Sequence, residues 1–334
     1  MNIRVVVLGG GTWGSTMASL AARNARTVLW ARRHAIVEEI NTHHSNQHHL
    51  PGATLSEALV ATANLEEAVE QADVMVMAVP SHAFRQTLEA AALYMRPWIP
   101  VVSLSKGLEQ GTNMRMTQIV EEILPGHPAG VLTGPNLAQE IVAGQAAASV
   151  VAMRDPHVAE VLQRVFSSDL FRVYTNDDVV GCEVAGATKN VIAIASGIAD
   201  GLETGDNTRA AVITRGMGEL ARFGVAMGGR PETFAGLAGM GDLVATCINP
   251  ASRNRWVGEQ LGRGRPLPEV LKELPYVAEG LRSAGVVMEL AAELGVDLPI
   301  CAEMDAVINR GRSPHEAYRG LLRRSANPSL NPGR

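Results

Sequence analysis

The chain is poor in cysteine and carries no dense block of positive charge. Its three cysteines, Cys182, Cys247 and Cys301, stand far apart without C-x-x-C or metal-ligand spacing. A disulfide framework and a cysteine metal site are therefore excluded, and the thiols read as buried or incidental groups in a reducing compartment. With a net charge of -5 and no long basic stretch, nucleic acid and an anionic membrane surface are excluded as main partners. Any acidic ligand must be held by local cations. No basic, apolar, small-residue leader opens the chain, no apolar run reads as a membrane span, and no internal repeat is visible. A cytoplasmic protein that is not membrane-embedded is expected. What is present is bulk: 334 residues, 46% of them hydrophobic, suffice for two cores and predict two domains.

The densest information lies in the first thirty-three residues. The apolar run Ile3 to Leu8 breaks into Gly9-Gly10-Gly11-Thr12-Trp13-Gly14, an amphipathic segment follows, and a second apolar run ends in Trp30-Ala31-Arg32-Arg33. That order is strand, glycine turn, helix, strand. A dinucleotide pyrophosphate needs a tight turn at Gly9, close backbone approach at Gly11, close helix packing at Gly14 and a helix N-terminus facing the anion. Where a carboxylate would bind the ribose hydroxyl of NAD, Arg32 and Arg33 offer guanidinium forks suited to a 2'-phosphate. NADP(H) is the preferred cofactor on this reading and NAD(H) a possible one; two solvated surface arginines are the plain alternative.

Downstream, Asp73 to Pro80, Ile99 to Leu104, Ala129 to Thr133 and Ala146 to Met153 are short, apolar and valine-rich, and helix-length segments separate them. Such alternation predicts a doubly wound parallel sheet, with the turns after Val79, Ser103 and Thr133 converging on the cofactor. Beyond Phe171 to Asn176 the strand rhythm stops. Helical patterns begin at Val179 to Gly201 and break at Gly228 to Pro231, Gly236 to Gly241, Gly262 to Pro268 and Leu298-Pro299. The predicted organisation is a dinucleotide-binding domain over 1–178, a helical substrate domain over 179–325 and a frayed tail over 326–334, with the active site between the two domains. The histidine-rich stretch His43 to His49 lacks an accompanying cysteine or a helical i, i+4 pattern and reads as a solvated loop; no metal is expected.

Lys189 is the only charge in the small apolar segment Ala185 to Ala195. Such surroundings disfavour an ammonium ion and pull its pKa toward neutrality, which suits an amine exchanging a proton with a hydroxyl or carbonyl. The alternative is a lysine that lays its stem along the apolar face and puts its head in water. Asp242, among the glycines and apolar residues of 236–243, needs a partner if buried. Lys189 is one candidate, and capping of a helix by Asp242 is another. Ser252-Arg253-Asn254-Arg255 opens a further helical pattern, with Ser252 as its cap, and forms a ready phosphate site. A nicotinamide site, a desolvated lysine and an anion site together describe reduction of a small phosphorylated ketone.

The chain resembles the bacterial NAD(P)-dependent glycerol-3-phosphate dehydrogenases over nearly its whole length. The motifs are Gly-Gly-Gly-Thr-Trp-Gly at 9–14, Val-Pro-Ser-His at 79–82, Ser-Lys-Gly-Leu-Glu at 105–109, Thr-Gly-Pro-Asn at 133–136 and Phe-Arg-Val-Tyr-Thr-Asn at 171–176. They continue with Gly-Ala-Thr-Lys-Asn-Val-Ile-Ala at 186–193, Ile-Thr-Arg-Gly at 213–216, Gly-Asp-Leu-Val-Ala-Thr-Cys at 241–247 and Ser-Arg-Asn-Arg at 252–255. The resemblance implies an N-terminal Rossmann-type domain, a helical C-terminal domain, and Lys189 as proton donor and acceptor with Asp242 beside it. It implies cofactor contacts at Gly9, Gly11, Thr12, Trp13, Gly14, Arg32, Arg33, Lys106, Ala138, Arg253, Val277 and Glu279. It implies substrate contacts at Lys106, Gly134, Asn136, Lys189, Asn190, Asp242, Thr246, Ser252, Arg253 and Asn254. Dihydroxyacetone phosphate, or sn-glycerol 3-phosphate in reverse, is the implied substrate, with supply of glycerophospholipid synthesis and a homodimer as family-level expectations. Two positions depart from the family: Asn136 stands where serine or threonine is usual, and His49 where an aromatic is usual. A dehydrogenase for a non-phosphorylated hydroxy or keto acid, with Arg253 on its carboxylate, and a non-catalytic nucleotide sensor are the competing readings.

Overall fold

The computed structural model describes residues 2–274 and 278–323, which divide into two compact units. The first takes in Met1–Ser105 and Met116–Val179, the second Lys106–Arg115 and Val180–Arg334. The sequence predicts uninterrupted domains, whereas the segment Lys106–Arg115 leaves the first stretch and packs with the second unit. The expected tail, 326–334, lies outside the described residues.

In the first unit strands and helices alternate: β1 (Arg4–Leu8), α1 (Thr12–Ala21), β2 (Arg26–Trp30), α2 (His34–His43), β3 (Val60–Thr62) and α3 (Leu65–Val69). There follow β4 (Val74–Met77), α4 (Ser81–Ala92), β5 (Val101–Ser103), α5 (Met116–Ile123), β6 (Ala129–Thr133), α6 (Ala138–Val142), β7 (Ala147–Met153), α7 (Pro156–Phe166) and β8 (Phe171–Asn176). The eight strands lie in one sheet in the order β3-β2-β1-β4-β5-β6-β7-β8. Strands such as Val-Met-Val-Met in β4 are buried throughout, as a sheet covered on both faces requires. Its first six strands have the order 3-2-1-4-5-6 of the Rossmann fold, and the order reverses between β1 and β4, where such sheets open a ligand crevice at the strand ends.

The sheet is mostly parallel, as the alternation predicts, with one exception: β6 and β7 pair antiparallel. The crossover between these two strands holds only the five-residue α6, which spans about 8 Å. The eleven-residue α7, about 16 Å long, returns the chain for the parallel β7–β8 pair. Strand β3, three residues at the sheet's edge, is too short to show a period.

The second unit is helical: α8 (Val179–Gly201), α9 (Asp206–Ala226), α10 (Pro231–Ala235), a π-turn over Leu237–Gly241, α11 (Asp242–Ile248) and α12 (Arg253–Gly262). It continues with α13 (Leu267–Glu273), α14 (Glu279–Glu293), α15 (Pro299–Asn309) and α16 (Pro314–Arg323). Gly236 to Gly241, expected as a break, instead winds as a π-turn that runs straight into α11. Helix α8 also corrects the reading of apolar runs. Its 23 residues are long and apolar enough to cross a membrane, but the run is almost entirely buried within the protein. It is the central helix of this unit's core, packed by Phe223, Phe234, Leu243 and Val257 among others.

Helices α8 and α12 touch backbone to backbone. A Cβ at Gly197 would lie 1.9 Å from the carbonyl oxygen of Arg255, and one at Gly258 would lie 2.0 Å from that of Ile194. Only glycine permits such an approach.

Candidate active site

In the first unit the chain leaves β1 at Leu8 and turns at Gly9, whose φ of +123° is open to glycine and costly for other residues. A Cβ there would lie 2.6 Å from the Ala78 carbonyl oxygen, and one at Gly14 would lie 2.0 Å from the carbonyl oxygen of Gly9. Helix α1 therefore rests on the turn itself. Gly11, by contrast, faces open space, with nothing within 4 Å of where a Cβ would stand. No side chain caps α1 and its first turn holds no acid, so its positive end remains available to an anion. These features fit a dinucleotide pyrophosphate.

Around the turn, the Thr12 hydroxyl donates to the carbonyl oxygen of His49 at 3.2 Å. Trp13 meets the ring of Phe171 edge-on at 6.3 Å, and its buried Nε1 has no hydrogen-bond partner among the described residues. Arg32 and Arg33 are exposed after β2. The Arg33 guanidinium lies 2.9 Å from His49 Nε2; arginine can only donate, so the ring nitrogen accepts. Burial, followed by His48 and Arg33, lowers the His49 pKa to about 4, which keeps the ring neutral near pH 7. The histidine-rich stretch is thus not simply a solvated loop. Its Asn46 is fully buried and donates to the Gly10 carbonyl oxygen (3.0 Å) and the Ser15 hydroxyl (2.9 Å), bracing the glycine turn.

Ala138 is the first residue of α6, half-buried. Gly134 sits at φ +141°, and a Cβ there would press on Ser149 at 3.2 Å. Asn136 donates its Nδ2 to the Ser149 hydroxyl at 3.0 Å, while its buried Oδ1 has no partner among the described residues. In this arrangement the amide offers an acceptor oxygen as well as a second N–H.

In the second unit Lys189 projects from the middle of α8 and is 5% exposed. Its Nζ lies 2.6 Å from Thr246 Oγ1 and 2.9 Å from Asp242 Oδ1. The lysine does not run its head out to water. Asp242, 2% exposed, opens α11, whose cap position is Gly241. Its other oxygen, Oδ2, takes the Lys106 ammonium at 2.6 Å. Burial alone would raise the Asp242 pKa, but Lys106 and Lys189, through charge and hydrogen bonds, outweigh it and hold the carboxyl below its ordinary value. For Lys106, burial dominates and draws the amine down to about 8, with Asp242 pulling the other way and Lys189 adding to the depression. Two ammonium groups on one carboxylate leave a net positive cluster, suited to an oxygen that gains negative charge.

The Thr246 hydroxyl completes the cluster by donating to the Asp242 carbonyl oxygen at 2.6 Å. Asn190 donates to the Lys106 carbonyl oxygen at 3.0 Å, and Asn254 donates to Asn190 Oδ1 at 3.0 Å. Asn254 Oδ1 in turn accepts the backbone N–H of Gly280 at 3.0 Å, next to Glu279 at the start of α14. Ser252 caps α12 as expected, accepting from Arg255 N, and Arg253 stands exposed at its first position. Val277 lies outside the described residues.

Sequence reasoning brought Lys189, Asp242 and the α12 cap together but did not pair Lys106 with Asp242. A signal existed. Of 29 basic residues only Lys106, Lys189 and Lys272 are lysines, so two of the three meet at one carboxylate. The three cysteines are free and buried; burial raises the Cys247 thiol to about 12, and no cluster of metal ligands occurs among the described residues.

Family models described as the N-terminus and the C-terminus of NAD-dependent glycerol-3-phosphate dehydrogenase match residues 4–159 and 178–319. The chain is 55% identical over 333 residues to glycerol-3-phosphate dehydrogenase (NAD(P)+) 2 of Sphingopyxis alaskensis, covering all of both chains. It is 56% identical over 320 residues to glycerol-3-phosphate dehydrogenase (NAD(P)+) 1 of Mycobacterium bovis, covering 96% of this chain and 94% of that one. Among solved structures, glycerol-3-phosphate dehydrogenase of Coxiella burnetii superposes with a TM-score of 0.92 at 33% identity, covering 97% of this chain and 99% of that one.

Proposed function

The chain belongs to the NAD-dependent glycerol-3-phosphate dehydrogenase family, and from that footing we propose that it interconverts dihydroxyacetone phosphate and sn-glycerol 3-phosphate with Lys189 as the proton donor and acceptor. The observation that carries this reading is the buried Lys189, hydrogen-bonded to Thr246 and ion-paired to Asp242.

A bound nicotinamide cofactor would supply the hydride in reduction and accept it in oxidation. Lys189 handles the matching proton. In reduction its ammonium donates to the ketone oxygen as negative charge builds there; in oxidation the neutral amine takes the hydroxyl proton. Asp242 holds that amine in one direction and, through Oδ2, holds Lys106 as a second cation near the same oxygen. The phosphate takes the N-terminus of α12 and Arg253. Asn254 uses its side-chain oxygen on the Gly280 N–H and one amide N–H on Asn190, and adds its second amide N–H and its place at the helix start. Fixing the phosphate away from the reacting carbon lets binding energy position the ketone.

The glycine turn of α1 supports a dinucleotide in general, and the finer preference rests on Arg32 and Arg33. No carboxylate ends β2 to take a ribose hydroxyl, and the two guanidinium groups there favour the 2'-phosphate of NADPH. Cytoplasmic location, a homodimer and supply of phospholipid synthesis belong to the same reading and rest on the family resemblance.

Oxidation of NADPH and of NADH, followed by absorbance with dihydroxyacetone phosphate, dihydroxyacetone and a set of keto acids, tests it. Turnover is expected with the phosphorylated ketone and faster with NADPH. Comparable rates on an unphosphorylated ketone or a keto acid, or no turnover with any carbonyl, contradict it.

A further inference from the structure

The segment Lys106–Arg115 carries Lys106 at one end and a buried ion pair at the other. Arg115 Nη1 donates to Glu183 Oε2 at 2.5 Å, with side chains 9% and 5% exposed. Glu183 lies on α8, as does Lys189, six residues further along. The segment closes on itself as a small hairpin: Leu108 and Arg115 form an antiparallel bridge, and Glu109 N donates to the Met114 carbonyl oxygen at 2.9 Å. Leu108 is buried in the second unit's core. The hairpin thus meets α8 at both ends, through Asn190 on the Lys106 carbonyl oxygen and through Glu183 on Arg115. Between these anchors Gln110 and Arg282 make only long, exposed contacts of 3.3 to 3.4 Å.

A buried ion pair is weak as a source of stability, because desolvation of both charges offsets most of their attraction. What it provides is direction, since it fixes the Arg115 end of the hairpin to one oxygen of a residue on α8. We propose that Arg115, through its ion pair with Glu183, is a positioning residue that fixes the Lys106 ammonium on Asp242. Its proposed action runs through Lys106. Its effect on turnover rests on the function proposed above, whereas its effect on the state of Lys106 does not.

With three lysines in the chain, metabolic labelling with ε-13C lysine gives a spectrum in which Lys106 is identified by its loss in Lys106→Met. In Arg115→Met the hairpin should loosen, the Lys106 amine should regain water, and its titration midpoint should rise above the native value. kcat/KM with dihydroxyacetone phosphate should fall by about 10- to 100-fold. In a Lys106→Met background the same substitution should cost less than about threefold, because both changes act through one amine. Arg115→Lys should recover part of the loss. Should Arg115→Met fail to fold, the paired replacement Arg115→Met with Glu183→Leu removes both buried charges and serves in its place. An unchanged Lys106 titration, or losses that multiply independently in the Lys106→Met background, overturns the proposal. A wild-type protein inert toward dihydroxyacetone phosphate would refute the function instead and leave the titration as the deciding result.

Discussion

At Asp242 two ammonium groups share one carboxylate, and they differ in exposure. The Lys189 side chain is 7% exposed and that of Lys106 is 17% exposed. Burial lowers Lys106 to about 8, against the pull of Asp242. The sign follows directly: below that pH Lys106 is an ammonium, and as pH rises through it the cluster loses one positive charge. If that charge helps hold a phosphorylated substrate, kcat/KM for dihydroxyacetone phosphate falls as pH rises through about 8. Lys106→Arg keeps a cation at every accessible pH, so the alkaline limb should move beyond the measurable range even if the rate drops. A pH–rate profile of both proteins decides it; an unmoved limb in Lys106→Arg removes Lys106 as its source. Lys189 was legible as a lone charge in an apolar helix and Ser252 as a cap before a helical pattern. The Lys106–Asp242 pair was not, because 136 residues separate its members and no local spacing encodes such a contact.

The element that most constrains this cluster is the α8–α12 pair. Gly197 and Gly258 let the two backbones meet, which sets the α12 N-terminus relative to Asn190 and Lys189 on α8. Gly258→Ala would place a methyl 2.0 Å from the Ile194 carbonyl oxygen, and backbone cannot yield as a side-chain tip does. We expect a loss of stability on the order of 2 kcal/mol from the forced separation. KM for dihydroxyacetone phosphate should rise more than KM for NADPH, because the anion site moves and the glycine turn of α1 does not. Thermal unfolding together with the two KM values checks this; equal changes in both would place the effect elsewhere. Helix α8 was readable residue for residue from its apolar run. The π-turn over Leu237–Gly241 was not, since glycine run and helix break look alike until packing selects a wider turn. The reversed β7 was likewise hidden, because a short crossover between two valine-rich strands leaves no mark in their composition.

Across the whole molecule, the two units carry different candidate residues: the first the glycine turn, Arg32 and Arg33, the second Lys106, Lys189, Asp242 and the α12 cap. The alternation of strands and helices made the first unit legible, since period and glycine spacing are local properties. The assignment of Lys106–Arg115 to the second unit was not, since it depends on which core Leu108 enters and where Arg115 finds its carboxylate. On the proposed roles, cofactor binding and proton transfer are separable in a single protein. The decisive measurement is therefore Lys189→Met, assayed for NADPH affinity by fluorescence titration and for turnover of dihydroxyacetone phosphate. NADPH affinity is expected within about twofold of native, with turnover lower by about 100-fold or more. Turnover close to native would show that another group moves the proton and would contradict the role proposed for Lys189.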